Sequence, residues 1–416
     1  MKLDIDALQR RFDEHHVPGA AIGICDPTSV VWSAGFGTTR AGGGDPVTAD
    51  TMFGVQSCSK MYTATAVLLA VHQGLVELDV PITRYLPEFR VNSSFEDHPE
   101  RLITLRHLLS HTAGFTHEAP VGSNYLVGRE SFEEHCESIS ETWLRFPVGH
   151  RYEYANLGID LAGYILQRIS GTPFHEFVRR ELLAPLGLTQ TTFDARAIKR
   201  DPGRATGHEA GKARLPVRVP MVAAGGLYTT VNEACRYIQL HLTAGASLID
   251  PNLLNEMYAV PTEPQRAHGY GLGLALARAG AVPVRGHGGG GFGFLSDIYW
   301  APQAELGVVV LTNSTNHHLQ WQLASEILQD IVPTGSAEAE ADGPWNRDYV
   351  ILASGVRDGT ARLRKEDGQL YFDHWRGGTL RLREHIPGVY VADNGEVLDL
   401  RRTPPTYANV RLQTSS

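Results

Sequence analysis

The sequence predicts a mixed α/β fold of the α+β kind: an antiparallel sheet flanked by helices, a helical subdomain inserted into it, and a small antiparallel β module at the C-terminal end. Three observations predict it. Short strand-like runs stand near the start and again late in the first 332 residues, and a long stretch of helical periodicity lies between them. A change of composition at 333–344 then separates this part from a final stretch of alternating hairpin segments.

In chain order, residues 3–16 have amphipathic helical spacing. They lead into AAIGICDPTSVVWSAGFGTT, where apolar alternation broken by Asp26-Pro27 gives two hairpin strands. From about 57 to 200 the apolar residues recur at three and four, as in LGIDLAGYILQRISG with Leu157, Leu161, Tyr164 and Ile165, closed by Gly171. Strands return in YGLGLALAR, FGFLSDIYW and LGVVVLTN, and a last helix follows in HHLQWQLASEILQDIV. Strands at both ends of one segment form one sheet, so residues 1–332 make a single domain with its helical subdomain at 57–200. Next comes PTGSAEAEADGP, 333–344, with the composition of a solvated linker. Residues 345–416 read as a small β module, because ARLRKEDGQLYF and VYVADNGEVLDL alternate around Asp-Gly and Asn-Gly turns.

The 416 residues are 42% hydrophobic and 20% charged, enough for a sizeable core. A formal charge of −9 and no run of Lys/Arg argue against a nucleic-acid groove, which needs a basic surface. No apolar stretch is long enough to span a bilayer, and no membrane partner is expected. Acidic residues interrupt the first segment where an export signal would be apolar, and Cys25, Cys58, Cys136 and Cys235 show no paired spacing. Both features predict a cytoplasmic protein with reduced thiols.

Chemistry concentrates in three places. Ser57-Cys58-Ser59-Lys60 opens an apolar helical run, and five lysines among 37 basic residues leave arginine as this chain's ordinary cation. A lysine here supplies what arginine cannot, an amine able to lose its proton. Positions i and i+3 share a helix face, so Lys60 meets the Ser57 hydroxyl if the helix begins at Ser57, and burial against the apolar run lowers its proton affinity. Tyr154-Ala155-Asn156 stands at a loop-to-helix junction, offering a phenol for proton transfer and a carboxamide for hydrogen bonding. His287 precedes Gly288, Gly289, Gly290 and Gly291 just before a strand, where missing side chains let a ligand approach the backbone. Taken one at a time, each also reads as ordinary structure: Ser57 and Asn156 as helix caps, Tyr154 as a packed aromatic, His287 as a surface residue.

Ser57-x-x-Lys60, Tyr154-x-Asn156 and His287-Gly288-Gly289, in that order, resemble the motifs of the serine β-lactamase and penicillin-binding-protein superfamily. A tyrosine in the second motif and a histidine in the third resemble its class C-like branch of family VIII esterases, D-amino-acid peptidases and acyltransferases. LRHLLSHTAGF, FPVGHRYEYANLG, APLGLTQTTF and AAGGLYTT extend the resemblance over residues 5–332. It implies a β-lactamase-like catalytic domain with Ser57 as acylated nucleophile, Lys60 as its proton acceptor and Tyr154 handling the leaving-group proton. It further implies Asn156 bonding Lys60 and a substrate amide, with the N–H groups of Ser57 and Gly290 as oxyanion hole. Which of Lys60 and Tyr154 is the base stays open. Gly288, Gly289 and Phe292 would border the substrate, as would the loop at 115–128.

Relatives that grip a carboxylate carry lysine where this chain has His287, which is largely neutral at pH 7, so weaker anion recognition is expected. The substrate expected is an ester, thioester or amide of a small cytoplasmic metabolite or peptide. Acyl transfer to an amine acceptor, as in a transacylase or thioesterase-type cyclase, is the alternative, and a catalytically silent binding protein is the alternative of another class. No cofactor is implied. His107 and His111 have a zinc-binding spacing but no glutamate where a zinc protease needs one, so they read as structural and no metal is expected. HGGGG also resembles the oxyanion loop of α/β-hydrolases, yet the chain has no Gly-x-Ser-x-Gly. The oligomeric state is not legible.

Overall fold

The computed structural model describes residues 3–122, 130–210, 215–259, 269–279 and 282–331, and within the C-terminal part 347–353, 356–366, 369–373, 379–392, 396–401, 406–407 and 410–414. The chain opens with helix α1 (Ile5–Glu14), started by Asp4 accepting a bond from the Ala7 N–H, and the hairpin of β1 (Gly19–Cys25) and β2 (Val30–Gly37). Strand β3 (Phe53–Gly54) precedes helices α2 (Ser59–His72), α3 (Leu105–Leu109), α4 (Phe132–Ser138), α5 (Asn156–Ser170), α6 (Phe174–Val178), α7 (Ala195–Arg200) and α8 (Val222–Gly225). Strand β4 (Tyr228–Thr229) pairs with β3, and α9 (Val231–Leu242) and α10 (Pro251–Asn255) follow. Then come β5 (Gly269–Tyr270), β6 (Ala275–Ala279), β7 (Val282–Gly291), β8 (Phe294–Ala301), β9 (Leu306–Thr312) and helix α11 (Leu319–Ile331).

One seven-stranded sheet has the order β2-β1-β9-β8-β7-β6-β5. β1 lies antiparallel to β9, with Ala21 opposite Leu311, so the two ends of the segment do meet in one sheet. α1 and α11 cover one face through Leu8, Phe12, Leu323 and Ile327, and α9 packs against the other. The helical layer continues past residue 200, since α8, α9 and α10 all follow it. Helix α2 is apolar on nearly every side, and residues 59–70 are all buried. A helix of that kind belongs in a core, and α2 lies at the centre with α5 and α8 against it.

The C-terminal strands are β10 (Arg347–Ala353), β11 (Val356–Glu366), β12 (Gln369–Asp373), β13 (Thr379–Ile386), β14 (Val389–Ala392), β15 (Val397–Asp399), β16 (Thr406–Tyr407) and β17 (Val410–Thr414). β10 pairs with both β11 and β17, which closes the set into an eight-stranded barrel rather than separate hairpins. Closure removes the exposed strand edges. Tyr349, Leu363, Phe372, Leu382, Leu398, Tyr407 and Leu412 fill the interior. The 333–344 linker and the Asp-Gly and Asn-Gly turns lie outside the described residues. Among the described residues, no helix is long and apolar enough to cross a membrane.

Candidate active site

Ser57 does not open helix α2. It sits in the 3-10 turn Gln56–Cys58 just ahead of it, and Gln56 has φ +48°, a left-handed value that costs a residue with a side chain some strain. The turn is held from two sides. The Val55 N–H donates to Leu227 O at 3.0 Å, and Ser296 Oγ on β8 donates to Val55 O at 2.8 Å.

Lys60, one turn on, is 0% exposed. Its Nζ lies 3.0 Å from Ser57 Oγ and donates to Ala224 O at 2.9 Å. Burial lowers its pKa from 10.5 to about 7, against a smaller upward pull from the Asp160 carboxylate. The neutral amine is therefore within reach near physiological pH. Ala224 is fixed in place because α8 and the residues after it are stitched onto α2. Thr63 Oγ1 donates to Ala223 O at 2.7 Å, and the Leu227 N–H donates to Ser59 Oγ at 3.0 Å.

Tyr154 arrives from the segment ahead of α5, and its phenol donates to Ser57 Oγ at 2.8 Å. Its ring lies 4.8 Å from Lys60 Nζ. Burial pushes the phenol's pKa well above its ordinary value, more than the bond to Ser57 lowers it, so the resting group is a protonated donor. His111, just past α3, backs this tyrosine: its ring centroid is 4.5 Å from that of Tyr154, and its Nδ1 accepts the Ala155 N–H at 3.3 Å. His107 instead caps α3 through Thr104, so the two histidines of zinc-like spacing have separate structural contacts.

The third motif corrects the expectation of glycines in a loop. His287 through Gly291 are part of β7 and pair in register with β8, Gly289 opposite Ser296 and Gly290 opposite Leu295. His287 turns its ring toward Tyr270, with Nε2 2.9 Å from the phenol oxygen, while Nδ1 faces Gly288 O. A carbonyl only accepts, so Nδ1 carries a proton toward Gly288 O, and Nε2 is engaged by the Tyr270 phenol.

A cavity of about 230 Å³ opens beside Ser57, lined among others by Gln56, His117, Tyr154, Asn156, Met221 and Phe292. Gly290 and Gly291 complete that wall, and Phe292, at φ +49°, forms the hairpin tip. Gly288 lies farther back, opposite Asp297. Asn156 also departs from expectation. Its Nδ2 meets Met221 Sδ at 4.0 Å, whereas the bonds of Lys60 go to Ser57 and Ala224. Asn156 is the first residue of α5, and the cap position falls on Ala155. Of the 115–128 loop, His117 reaches the cavity and residues 123–128 lie outside the described ones.

The family model described as Beta-lactamase matches residues 5–328. The chain belongs to the beta-lactamase family. Two curated members resemble it over part of their length: Penicillin-binding protein 4 of Amycolatopsis lactamdurans, 30% identical over 59% of this chain and 66% of that protein, and Esterase EstB of Burkholderia gladioli, 29% identical over 46% and 53%. The chain thus spans about half the length of the curated relatives it matches. The octameric penicillin-binding protein homologue from Pyrococcus abyssi has the same fold, with a TM-score of 0.69 at 22% identity, covering 99% of this chain and 100% of that one. Beta-lactamase-family membership makes this a serine hydrolase fold with esterase and penicillin-binding relatives.

Sequence reasoning passed over Ala224, Met221 and Tyr270, which act through a backbone carbonyl, a thioether against an amide and a phenol distant in sequence from His287, and leave no pattern. It also passed over Asp160, although an acid among Leu157, Leu161 and Tyr164 on an apolar helix was a usable signal.

Proposed function

We propose that the protein is a serine hydrolase that forms an acyl-enzyme on Ser57 and cleaves esters and thioesters of small, uncharged acyl groups, with amides as poorer substrates. The observation that carries this reading is that one hydroxyl, Ser57 Oγ, lies within hydrogen-bond reach of both a buried amine at 3.0 Å and a buried phenol at 2.8 Å.

Neutral Lys60 takes the Ser57 proton as Oγ attacks the carbonyl carbon. Tyr154, protonated at rest, gives its proton to the departing oxygen or sulfur and recovers one from the Lys60 ammonium beneath its ring. This favours Lys60 over a tyrosinate as the base. The N–H groups of Ser57 and Gly290 receive the developing oxyanion. Water then attacks the acyl-enzyme, activated by the same pair.

The substrate class rests on the cavity wall. The His287 nitrogens are occupied by Gly288 and Tyr270, which supports weak recognition of a carboxylate, and Met221 stands on the carboxamide that would greet a substrate amide. Release of p-nitrophenol from acetate and butyrate esters tests the reading. Loss of about 10³-fold or more in Ser57→Ala supports it, and a Ser57→Ala protein as active as wild type defeats it.

A further inference from the structure

On the far side of the Ala223–Ala224 backbone lies a pair that no motif includes. Asp160 on α5 and His135 on α4 are 0% and 1% exposed. Asp160 Oδ1 accepts the Ala224 N–H at 3.0 Å, and Oδ2 lies 3.3 Å from His135 Nε2. His135 Nδ1 lies 2.7 Å from Val121 O. Both ring nitrogens thus face acceptors, one a carbonyl and one a carboxylate. A ring so placed has a proton on each nitrogen, which makes the pair a buried imidazolium and carboxylate. The proton affinity of His135 agrees in direction: burial lowers it, and the bond and charge of Asp160 outweigh that and raise it.

The peptide that Asp160 grips by its N–H belongs to the residue whose carbonyl accepts from Lys60. We propose that Asp160 is a positioning residue for Lys60: paired with His135, it fixes the Ala224 carbonyl that aims the amine at Ser57. Its negative charge, across the Ala224 peptide, also favours the charged amine. The proposal rests on the reading of Lys60 as the base. Around Lys60 stand the Cys58 thiol of the same turn, the Tyr154 phenol ahead of α5, the His111 ring past α3 and, across Ala224, Asp160 on α5. On the strand side, Tyr270 of β5 and His287 of β7 lie beyond Tyr154. Around Asp160 stand His135 and Cys136 of α4. Of these groups Asp160 favours the ammonium form most, with a smaller upward pull from Cys58.

Asp160→Asn separates charge from shape. The amide oxygen keeps the Ala224 bond, and the amide nitrogen can donate to Nε2 of a now neutral His135, which still donates to Val121 O. The protein should therefore fold with every bond retained and the negative charge gone. With the full-length chain labelled at lysine Cε, only five lysines contribute signals, and the Lys60 titration is read directly. In Asp160→Asn its midpoint should fall by about half a pH unit or more, carrying the acidic limb of kcat/KM with it. His135→Gln, which removes the positive member, should move the midpoint upward. Asp160→Ala, which also frees the Ala224 peptide, should lower kcat about tenfold with little change in KM. A Lys60 midpoint that stays put in both charge variants overturns the proposal, as does a wild-type His135 carrying a proton on one ring nitrogen only. The titration is read on the resting protein, so the coupling fails or holds independently of whether Ser57 is acylated.

Discussion

The backbone of Gly289 passes so close to Ser57 that a Cβ at position 289 would lie 3.1 Å from Ser57 N, 2.1 Å from Val55 O and 2.5 Å from Ser296 Oγ. Two of these are backbone atoms that cannot step aside cheaply. Strand β7 and the nucleophile turn are therefore fitted to each other at a position open to glycine alone. Gly289→Ala should lower kcat/KM at least about tenfold by displacing Ser57 from its two partners. Measured ester hydrolysis near the wild-type rate would mean that the turn yields freely.

Lys60→Arg keeps a cation beside Ser57 but cannot supply a neutral base. Its activity should fall nearly as far as that of Ser57→Ala, about 10²-fold or more. In the wild type, kcat/KM should rise with pH through about 7, as the ammonium loses its proton. A profile flat from pH 5 to 9 would count against Lys60 as the base.

The same burial has a cost in stability. The folded pKa of about 7 lies below the ordinary 10.5, so between those values the unfolded chain binds more protons at Lys60. The destabilising contribution of this site is therefore complete below pH 7 and is relieved as pH rises toward 10.5. Lys60→Met, of similar volume and without charge, should raise the melting temperature most near pH 6, with the gain shrinking toward pH 10. A gain independent of pH would separate stability from this titration.

These residues were legible to different depths. Ser57, Lys60 and Tyr154 were readable as one cluster because serine, lysine and phenol stand at fixed spacings beside helical runs, whereas Asn156, expected to bond Lys60, lies against Met221 instead. The strand at His287–Gly291 was not, because glycine has low strand propensity and four in a row read as a turn. What makes them a strand is tertiary: β8 pairs on one side, and the nucleophile turn excludes side chains at Gly289. The Gln56 turn was equally hidden, since its left-handed backbone falls on a residue that does not advertise it. In the C-terminal part the alternation showed paired strands, but closure depends on β10 meeting β17, a pairing between distant segments that local patterns do not encode.

Met221 tests the substrate class. With Val219 and Phe292 it forms a small apolar cluster at the cavity wall, and its sulfur covers the Asn156 amide. Met221→Ala should uncover that carboxamide, raising acylation by penicillins and small amides severalfold relative to p-nitrophenyl esters. An unchanged ratio would place amide discrimination elsewhere.

The central claim is that Ser57 carries the acyl group. Intact-protein and peptide mass measurements after brief exposure to p-nitrophenyl butyrate at pH 8, followed by acid quenching, read it directly. The account predicts one butyryl addition mapped to Ser57, absent in Ser57→Ala and accumulating far more slowly in Lys60→Arg. An addition on another residue, or ester turnover with Ser57 never modified, would contradict it.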